Sequence, residues 1–422
     1  MAARPRKCRI AAAELQKLGF TINIPKSVAD PGITKIDHLG FVIDSTVMQV
    51  SLTEKKTNKI LDTISKCLDQ KQITIRLLAS VKGKLEATGS ANKHAKLWVK
   101  RLEIAKIKAL EANKFDYEAN IILPQDCRDD LVFARDHLPG ISAPVRVSDP
   151  DWKVFNDASN GGWGCLDPQT KQKGGGRWTE DEAKMHINAL ELTAALFSVK
   201  SLCSHKQGIH LRIATDNSTT LYAINKQGST KPYLNDIARE IWHFAIDRDI
   251  WLSAVHCPGK LMPADEASRV FDDNIEWTLS DSLFDVICAR FGQPSIDLFA
   301  SRLNNKVDRY AAWHVDPGAV WIDSFAEKWS NEFFYAFPPF CVIARTVQKC
   351  IQDEAEGILV VPDWPSQPWY TLLNRYIVQK PFYFMVTDSE LFLPFHSRTS
   401  RHPLCPLKMK AVHLCCRPIC NV

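Results

Sequence analysis

Residues 210–225, HLRIATDNSTTLYAIN, hold the pattern that decides the fold. The segment from His210 to Ala214 alternates in polarity like a half-buried strand. It ends at Asp216, and Ser218 opens a helix. The same alternation of strand and helix continues on both sides. Upstream, Val154 and Phe155 lead a strand to Asp157, and Gly161, Gly162 and Gly164 turn the chain into a second strand. A flexible GGGR segment then precedes a third short strand. The helix that follows is amphipathic, with Ile187, Leu190, Leu192, Ala195 and Leu196 apolar. Downstream, a helix is expected over 233–248, a strand over Trp251 to Val255, and a helix after Pro263 that carries Asp265. This alternation of strands and helices predicts a mixed α/β sheet with flanking helices.

Four acids stand out in this stretch. Asp157 lies in FNDASNGGWG, Glu191 in INALELTAAL, Asp216 in RIATDNSTTLYAIN and Asp265 in KLMPADEASR. Hard divalent cations take oxygen ligands, and two of them about 4 Å apart clamp the attacking and leaving oxygens of an in-line displacement. Each acid also has a plainer reading. Asp157 and Asp216 are placed to cap turns or helices, and Glu191 would be unremarkable on a helix surface.

The bulk of the chain is ordinary. It has 422 residues, 45% hydrophobic and 24% charged, which suits several globular domains. No run approaches the roughly 18 apolar residues of a membrane helix. The start, MAARPRKCRI, is basic but has no apolar signal core. A net charge of +5 permits a polyanionic partner, and the lysine-dense stretch 82–108 suits phosphate contact or a solvated helix face. Thirteen scattered cysteines with no CxxC pair point to reduced thiols and a cytoplasmic or nuclear setting. His413, Cys415, Cys416 and Cys420 raise a zinc site, which their adjacent cysteines suit poorly.

Outside the central stretch, residues 9–29 predict a helix, a turn at Gly19, a strand from Phe20 to Ile24 and a break at Pro25. A strand from Asp37 to Ile43 continues as a hairpin through Val47, Val50 and Leu52. Thr53 caps a helix whose apolar positions are Ile60, Leu61, Ile64 and Leu68. Helices follow over 73–89 and 92–112, and the proline-rich stretch 136–150 reads as a linker. A third unit begins near residue 280, with SIDLFASRLNNK, YAFPPF and a strand-like GILVVP. No internal repeat is evident, and the last residues lack periodicity.

These motifs carry a family resemblance. The DAS after the first strand, the glutamate of NALEL, TDNST after the fourth strand and HCPGKLMPADEASR resemble, in order and spacing, the ribonuclease H domain of a retrotransposon polyprotein. Upstream, LGFTINIPKSV and HLGFVIDSTVMQVSL resemble the end of a reverse-transcriptase palm. Downstream, IDLFASRLN and YAFPPF resemble the adenine-methyltransferase-like domain of DIRS-like retrotransposons. The resemblance implies a truncated Pol fragment of that group. It would comprise a palm remnant (1–52), thumb and connection helices with a linker (53–148), ribonuclease H (149–272), a smaller methyltransferase-like α/β domain (280–385) and an irregular tail (386–422).

By this resemblance Asp157, Glu191, Asp216 and Asp265 ligate two magnesium ions, and His256 shuttles a proton. The chain then hydrolyses the RNA strand of RNA–DNA hybrids. Ser159, Asn160, Asn188 and Asn217 are placed to bond 2′-hydroxyls across the minor groove, or to serve in turns. Trp163, Trp178 and Trp242 are expected in the core rather than under bases. No polymerase activity is expected, since the paired-aspartate motif would lie upstream. The methyltransferase motif, spanning Asp297, Phe299, Phe337, Pro338, Pro339 and Phe340, has Phe337 where a polar group belongs, so S-adenosylmethionine is not expected to bind. The rival readings are a non-catalytic nucleic-acid-binding remnant and a DNA adenine methyltransferase.

Overall fold

The computed structural model describes residues 3–23, 27, 33–271, 277–394 and 402–417. It divides into two compact units, Met1–Ser148 and Asp149–Val422. Among the described residues no helix is long and apolar enough to cross a membrane.

In the first unit α1 (Ala3–Lys17) precedes three antiparallel strands, β1 (Lys35–His38), β2 (Phe41–Asp44) and β3 (Gln49–Leu52). The predicted single strand from Asp37 to Ile43 is therefore two. Leu39 and Gly40 both have positive φ (51° and 80°), the conformation of a two-residue hairpin turn. The described residues Phe20–Asn23 form no strand; Ile24 and Pro25 lie outside the described residues.

Thr53 caps α2 (Glu54–Asp69) as expected, its side chain accepting from the Lys56 amide. Then come β4 (Ile73–Thr74), α3 (Ile75–Glu86), α4 (Ala95–Ala112), β5 (Asn120–Ile121), α5 (Gln125–His137) and β6 (Ser142–Pro144). Part of the proline-rich linker is thus strand β6, which pairs with β3 at the sheet edge, where a proline costs no ladder bond. Ile64, Leu78, Val81, Leu102 and Leu131 form the buried seam of these helices. Several lysines of 82–108 are engaged within the unit. Lys82 pairs with Glu86 (2.6 Å), Lys100 with Glu103 (2.8 Å), and Lys84 donates to Thr63 Oγ1 (2.6 Å).

The second unit opens with β7 (Trp152–Ala158), β8 (Gly162–Leu166), β9 (Lys173–Arg177), α6 (Ile187–Cys203), β10 (His210–Thr215), α7 (Ser218–Asn225), α8 (Pro232–Ile246), β11 (Trp251–His256) and the short α9 (Asp265–Arg269). The sheet order is β11-β10-β7-β8-β9. β7, β10 and β11 run parallel, and β8 and β9 are antiparallel additions. Helix α6 packs against β7 and β8 on one side and α8 on the other, which explains why it is apolar nearly all round. Trp163, Trp178 and Trp242 are buried.

The GGGR segment is not a flexible lead-in; its glycines are β9 itself. They are there because α9 lies against the sheet. A Cβ on Gly164 would sit 2.6 Å from the Ala264 carbonyl oxygen and the Ser268 nitrogen, and one on Gly175 would sit 2.6 Å from the Ala267 oxygen.

The remaining elements are β12 (Thr278–Leu279), α10 (Asp281–Phe291), β13 (Ile296–Asp297), β14 (Ala311–Ala312), β15 (Trp321–Ile322), β16 (Phe333–Ala336), α11 (Ile343–Gln352), β17 (Glu356–Pro362), α12 (Pro368–Asn374), β18 (Phe382–Val386), β19 (Leu391–Phe392) and β20 (Leu407–Cys415). Their main sheet has the order β13-β16-β17-β20-β18. β13, β16 and β17 are parallel, and β20 is antiparallel to both neighbours.

The stretch read as an irregular tail therefore contains a central strand. β20 has no alternation because both of its faces are covered, so its residues are buried almost without break. Lys410 obscures the apolar run further. It is fully buried, with Nζ 3.0 Å from Asn374 Oδ1 and 3.5 Å from the centre of the Tyr370 ring.

Candidate active site

Three of the four acids converge at the carboxyl ends of the parallel strands. Asp157 is the penultimate residue of β7, and Asp216 follows the last residue of β10. Glu191 sits one turn into α6, where that helix crosses β7; Asn156 Nδ2 donates to its backbone carbonyl (3.4 Å). One carboxylate oxygen from each of Asp157, Glu191 and Asp216 lies within 4.8 Å of the other two. Among the described residues this is the group of acids, histidines or cysteines close enough to share a metal ion. No such group includes His413, Cys415 and Cys416. His413 instead lies 3.1 Å from Glu356, and Cys420 is outside the described residues.

The surroundings show why three acids tolerate this proximity. Asp157 and Glu191 are buried, and Asp216 is half-buried. Ser268 Oγ, on α9, donates to Asp157 Oδ2 at 2.6 Å. Burial raises the Asp157 carboxyl above its ordinary range, with Asp216 and Asp265 adding to the effect and Ser268 opposing it. Glu191 is pushed up to about 8, first by burial, then by the charges of Asp157 and Asp216. Its Oε2 is buried without a hydrogen-bond partner. A buried, unpartnered carboxylate oxygen facing two more carboxylates fits a site for hard divalent cations. It does not fit a glutamate on a helix surface.

Asp265, the first residue of α9, is outside this trio. Arg269 donates to its Oδ1 from Nε and Nη2, both at 2.8 Å, and its side chain is 46% exposed. His256 is exposed at the end of β11, in register with Thr215 beside Asp216.

Of the four polar residues proposed for substrate, Ser159, Asn188 and Asn217 make local hydrogen bonds. Ser159 Oγ donates to the Ser268 carbonyl (2.6 Å) and accepts the Gly161 amide (3.1 Å). Asn217 Oδ1 caps α7 by accepting the Thr220 amide (2.9 Å), and its Nδ2 donates to Asn188 Oδ1 (3.1 Å). Asn160 is exposed at the β7–β8 turn, and Asn188 is half-buried. Two residues escaped the sequence reading. Ser268 holds Asp157, and His186 caps α6 by accepting the Asn188 amide on Nδ1 (3.1 Å). A serine three residues after an acid at the start of a short helix gives no signal of its own until α9 is seen against β8.

Among the residues read from sequence as a methyltransferase-like motif, Asp297 ends β13, buried, accepting the Phe299 and Lys306 amides (3.2 and 3.1 Å). Burial raises its carboxyl to about 6. Phe337, Pro338 and Pro339 follow β16 directly. Phe340 packs edge-on against Trp364, with ring centres 5.4 Å apart, and Phe299 packs against Phe325.

No family profile and no curated protein matches the chain. Solved structures with partial likeness include ribonucleases H and a viral reverse transcriptase. LC11-RNase H1 in complex with RNA/DNA hybrid is 18% identical, covering 27% of this chain and 91% of that one, with a TM-score of 0.23. RNase H1 from Halobacterium salinarum NRC-1 is also 18% identical, covering 28% of this chain and 92% of that one, at 0.20. The foamy viral protease-reverse transcriptase in complex with RNA/DNA hybrid is 16% identical, covering 66% of this chain, at 0.27. The chain spans 37% of that protein's length.

The trio's ionisation has a consequence for stability. A buried carboxyl raised to about 8 holds its proton more tightly folded than unfolded. Between the unfolded value, about 4.3, and about 8 the folded state therefore binds more protons, and stability falls as pH rises. We expect the metal-free protein to lose on the order of a few kcal/mol between pH 5 and pH 8. Magnesium should restore much of that at pH 8, since a ligand that binds only the folded state stabilises it. Melting temperatures at the two pH values, with and without magnesium, test this. A higher midpoint at pH 8 in chelator would contradict it.

Proposed function

We propose that residues 149–272 form a ribonuclease H that hydrolyses the RNA strand of RNA–DNA hybrids, within a DIRS-like retroelement Pol polyprotein. The observation that carries the reading is the convergence of Asp157, Glu191 and Asp216 from three separate elements, with Glu191 Oε2 buried and unpartnered. The sheet order, with two antiparallel strands added to the first of three parallel ones, agrees with the motif order read from sequence.

In this reading Asp157, Glu191 and Asp216 hold magnesium, and Asp265 joins them by releasing Arg269. Bound magnesium supplies an activated water and charge neutralisation at the scissile phosphate. The chain's own residues do the rest. Ser268 keeps Asp157 oriented and ionised by donating to its Oδ2. Burial of Glu191 leaves one oxygen desolvated and open to a cation. His256, exposed at the end of β11, moves a proton at the attacking or leaving oxygen. Asn160 and Asn188 present amide groups to the 2′-hydroxyls that distinguish the RNA strand. The setting is cytoplasmic or nuclear.

Residues 1–148 correspond, in this reading, to the palm, thumb and connection of the same polyprotein. Residues 280–417 correspond to its methyltransferase-like domain, now including β20. Phe337 follows β16 where a polar side chain would hold a target amino group, so no methyl transfer is expected there.

The test is a labelled RNA–DNA hybrid incubated with the full chain and magnesium. The RNA strand should be cut at internal positions, and Asp216→Asn should abolish the cutting. Identical products from wild type and Asp216→Asn would end the catalytic reading and leave a nucleic-acid-binding remnant.

A further inference from the structure

The segment that carries the chain from β9 into α6 is held from outside the five-stranded sheet. Residues 178–186 contain a short capping box. The Thr179 amide donates to Glu182 Oε2 (2.8 Å), and the Glu182 amide donates to Thr179 Oγ1 (3.1 Å). The same glutamate receives Arg302, which lies between β13 and β14. Arg302 Nη1 donates to Glu182 Oε1 (3.0 Å) and Nη2 to Oε2 (2.7 Å), a fork-to-fork pair. Nη2 also donates to the Arg177 carbonyl at the end of β9 (2.7 Å), and the guanidinium sits 4.7 Å from the centre of the Phe197 ring on α6. Both partners are mostly buried, with side chains 14% and 20% exposed, so this is not a solvent-screened surface pair. Arg302 is itself fixed by its backbone amide, which donates to Asp316 Oδ2 (3.0 Å). A parallel bridge between Gly174 and Val315 ties the same two regions nearby.

The clamp reaches the acids along two short routes. One runs through α6, where Phe197 lies less than two turns beyond Glu191 and also packs edge-on against Trp163. The other runs through Trp178, whose indole N–H donates to the Ser159 carbonyl (2.8 Å). Ser159 Oγ bonds the Ser268 carbonyl, and Ser268 Oγ bonds Asp157, each at 2.6 Å. The links are hydrogen bonds and ring contacts between buried or half-buried groups, joined by the backbone from Arg177 to Trp178 and along α6 from Phe197 to Glu191. Arg302 touches none of the acids.

We propose that Arg302 is a positioning residue for the nuclease site. The part of the second unit that follows the five-stranded sheet would then act as a buttress, setting the spacing of Glu191 and Asp157 through the Arg302–Glu182 clamp. The proposal rests on the ribonuclease reading for its catalytic consequence, but not for its structural one. Lysine cannot replace the fork, because an ammonium offers a point charge where two parallel bonds to Glu182 and one to Arg177 are needed.

The experiment compares the full chain with Arg302→Ala, Arg302→Lys, Glu182→Ala and the Arg302→Ala/Glu182→Ala pair. Three readouts are taken: kcat and KM for hybrid cleavage across a magnesium series, manganese affinity by titration, and hydrogen exchange of the amides of 178–191. Arg302→Ala should raise the half-saturating metal concentration about tenfold and lower kcat, in the lower part of the range seen for groups that orient metal ligands. KM for the hybrid should stay within about twofold, because no substrate contact is lost. Arg302→Lys should recover only part of the loss, and the double variant should be no worse than Arg302→Ala alone. Exchange in 178–191 should quicken. A variant with a lower melting point but unchanged metal dependence and kcat would make Arg302 a stability tie only and overturn the proposal. If the wild type neither cleaves nor binds metal, the nuclease reading fails, and unchanged exchange in Arg302→Ala would then overturn the clamp as well.

Discussion

On the proposed nuclease reading, Glu191→Gln should sharply reduce hybrid cleavage while making the metal-free protein more stable at pH 8. The two effects have one cause. The glutamate is buried, its Oε2 has no partner, and two carboxylates oppose its ionisation. Ionising it is therefore a cost that a bound cation would offset. Glutamine keeps the shape and removes both the charge and the affinity for the cation. On the proposed reading Glu191 ligates the metal, and its loss should lower the cleavage rate roughly a thousandfold, equivalent to about 4 kcal/mol of transition-state stabilisation. The melting temperature in chelator at pH 8 should rise, and its fall between pH 5 and pH 8 should shrink. Activity with and without magnesium, together with melting scans at both pH values, reads the two effects separately. A buried glutamate with a purely structural role would show the opposite sign in stability, and a destabilised Glu191→Gln would sink the assignment.

Gly164→Ala should damage both the fold and the site with a single added methyl. Gly164 pairs with Asp157 across β7 and β8, and α9 lies directly over it. The added Cβ would stand 2.6 Å from Ala264 O and Ser268 N and 2.8 Å from the Ala267 carbonyl carbon. All three are backbone atoms, so no side chain can rotate away, and α9 must lift off the sheet. Overpacking of this kind costs roughly 1–3 kcal/mol. The lift also pulls Ser268 from Asp157 and carries Asp265 with it, so cleavage should fall further than stability alone explains. Urea midpoints report the first effect and cleavage under fully folded conditions the second. A Gly164→Ala protein with wild-type midpoint and rate would show that α9 is not seated against β8.

The acids themselves were legible because each sits in a local pattern that chemistry constrains. A strand that ends on an aspartate, as in HLRIATD, needs nothing beyond alternation and a helix start to be recognised. Glu191 was legible only as a member of the series, since one glutamate among leucines is common on any helix. Its burial, its orphaned oxygen and its pairing with Asp157 across α6 and β7 are products of packing. Local patterns misled where tertiary context overrides them. The GGGR run looked flexible, yet in β9 its glycines serve the close approach of α9. The strand over Asp37 to Ile43 looked continuous because nothing in its polarity marks the left-handed turn at Leu39 and Gly40.

The sequence by itself determined the order of elements around the five-stranded sheet and the identity of the acids. Short-range alternation, caps and turn residues are encoded within a few positions of one another. Only the tertiary structure decided which acids meet and what holds them there. It brings Asp157, Glu191 and Asp216 together, leaves Asp265 outside the trio in a pair with Arg269, and sets Ser268 on Asp157. It also makes β20 a central strand and carries Arg302 to Glu182, 120 residues away in the chain. Such contacts depend on how faces are covered and which backbones approach closely, and no window of neighbouring residues records that. HLRIATDNSTTLYAIN could announce a strand ending on an acid beside a helix, but the depth at which that acid meets Glu191 had to come from the packing of α6 on β7.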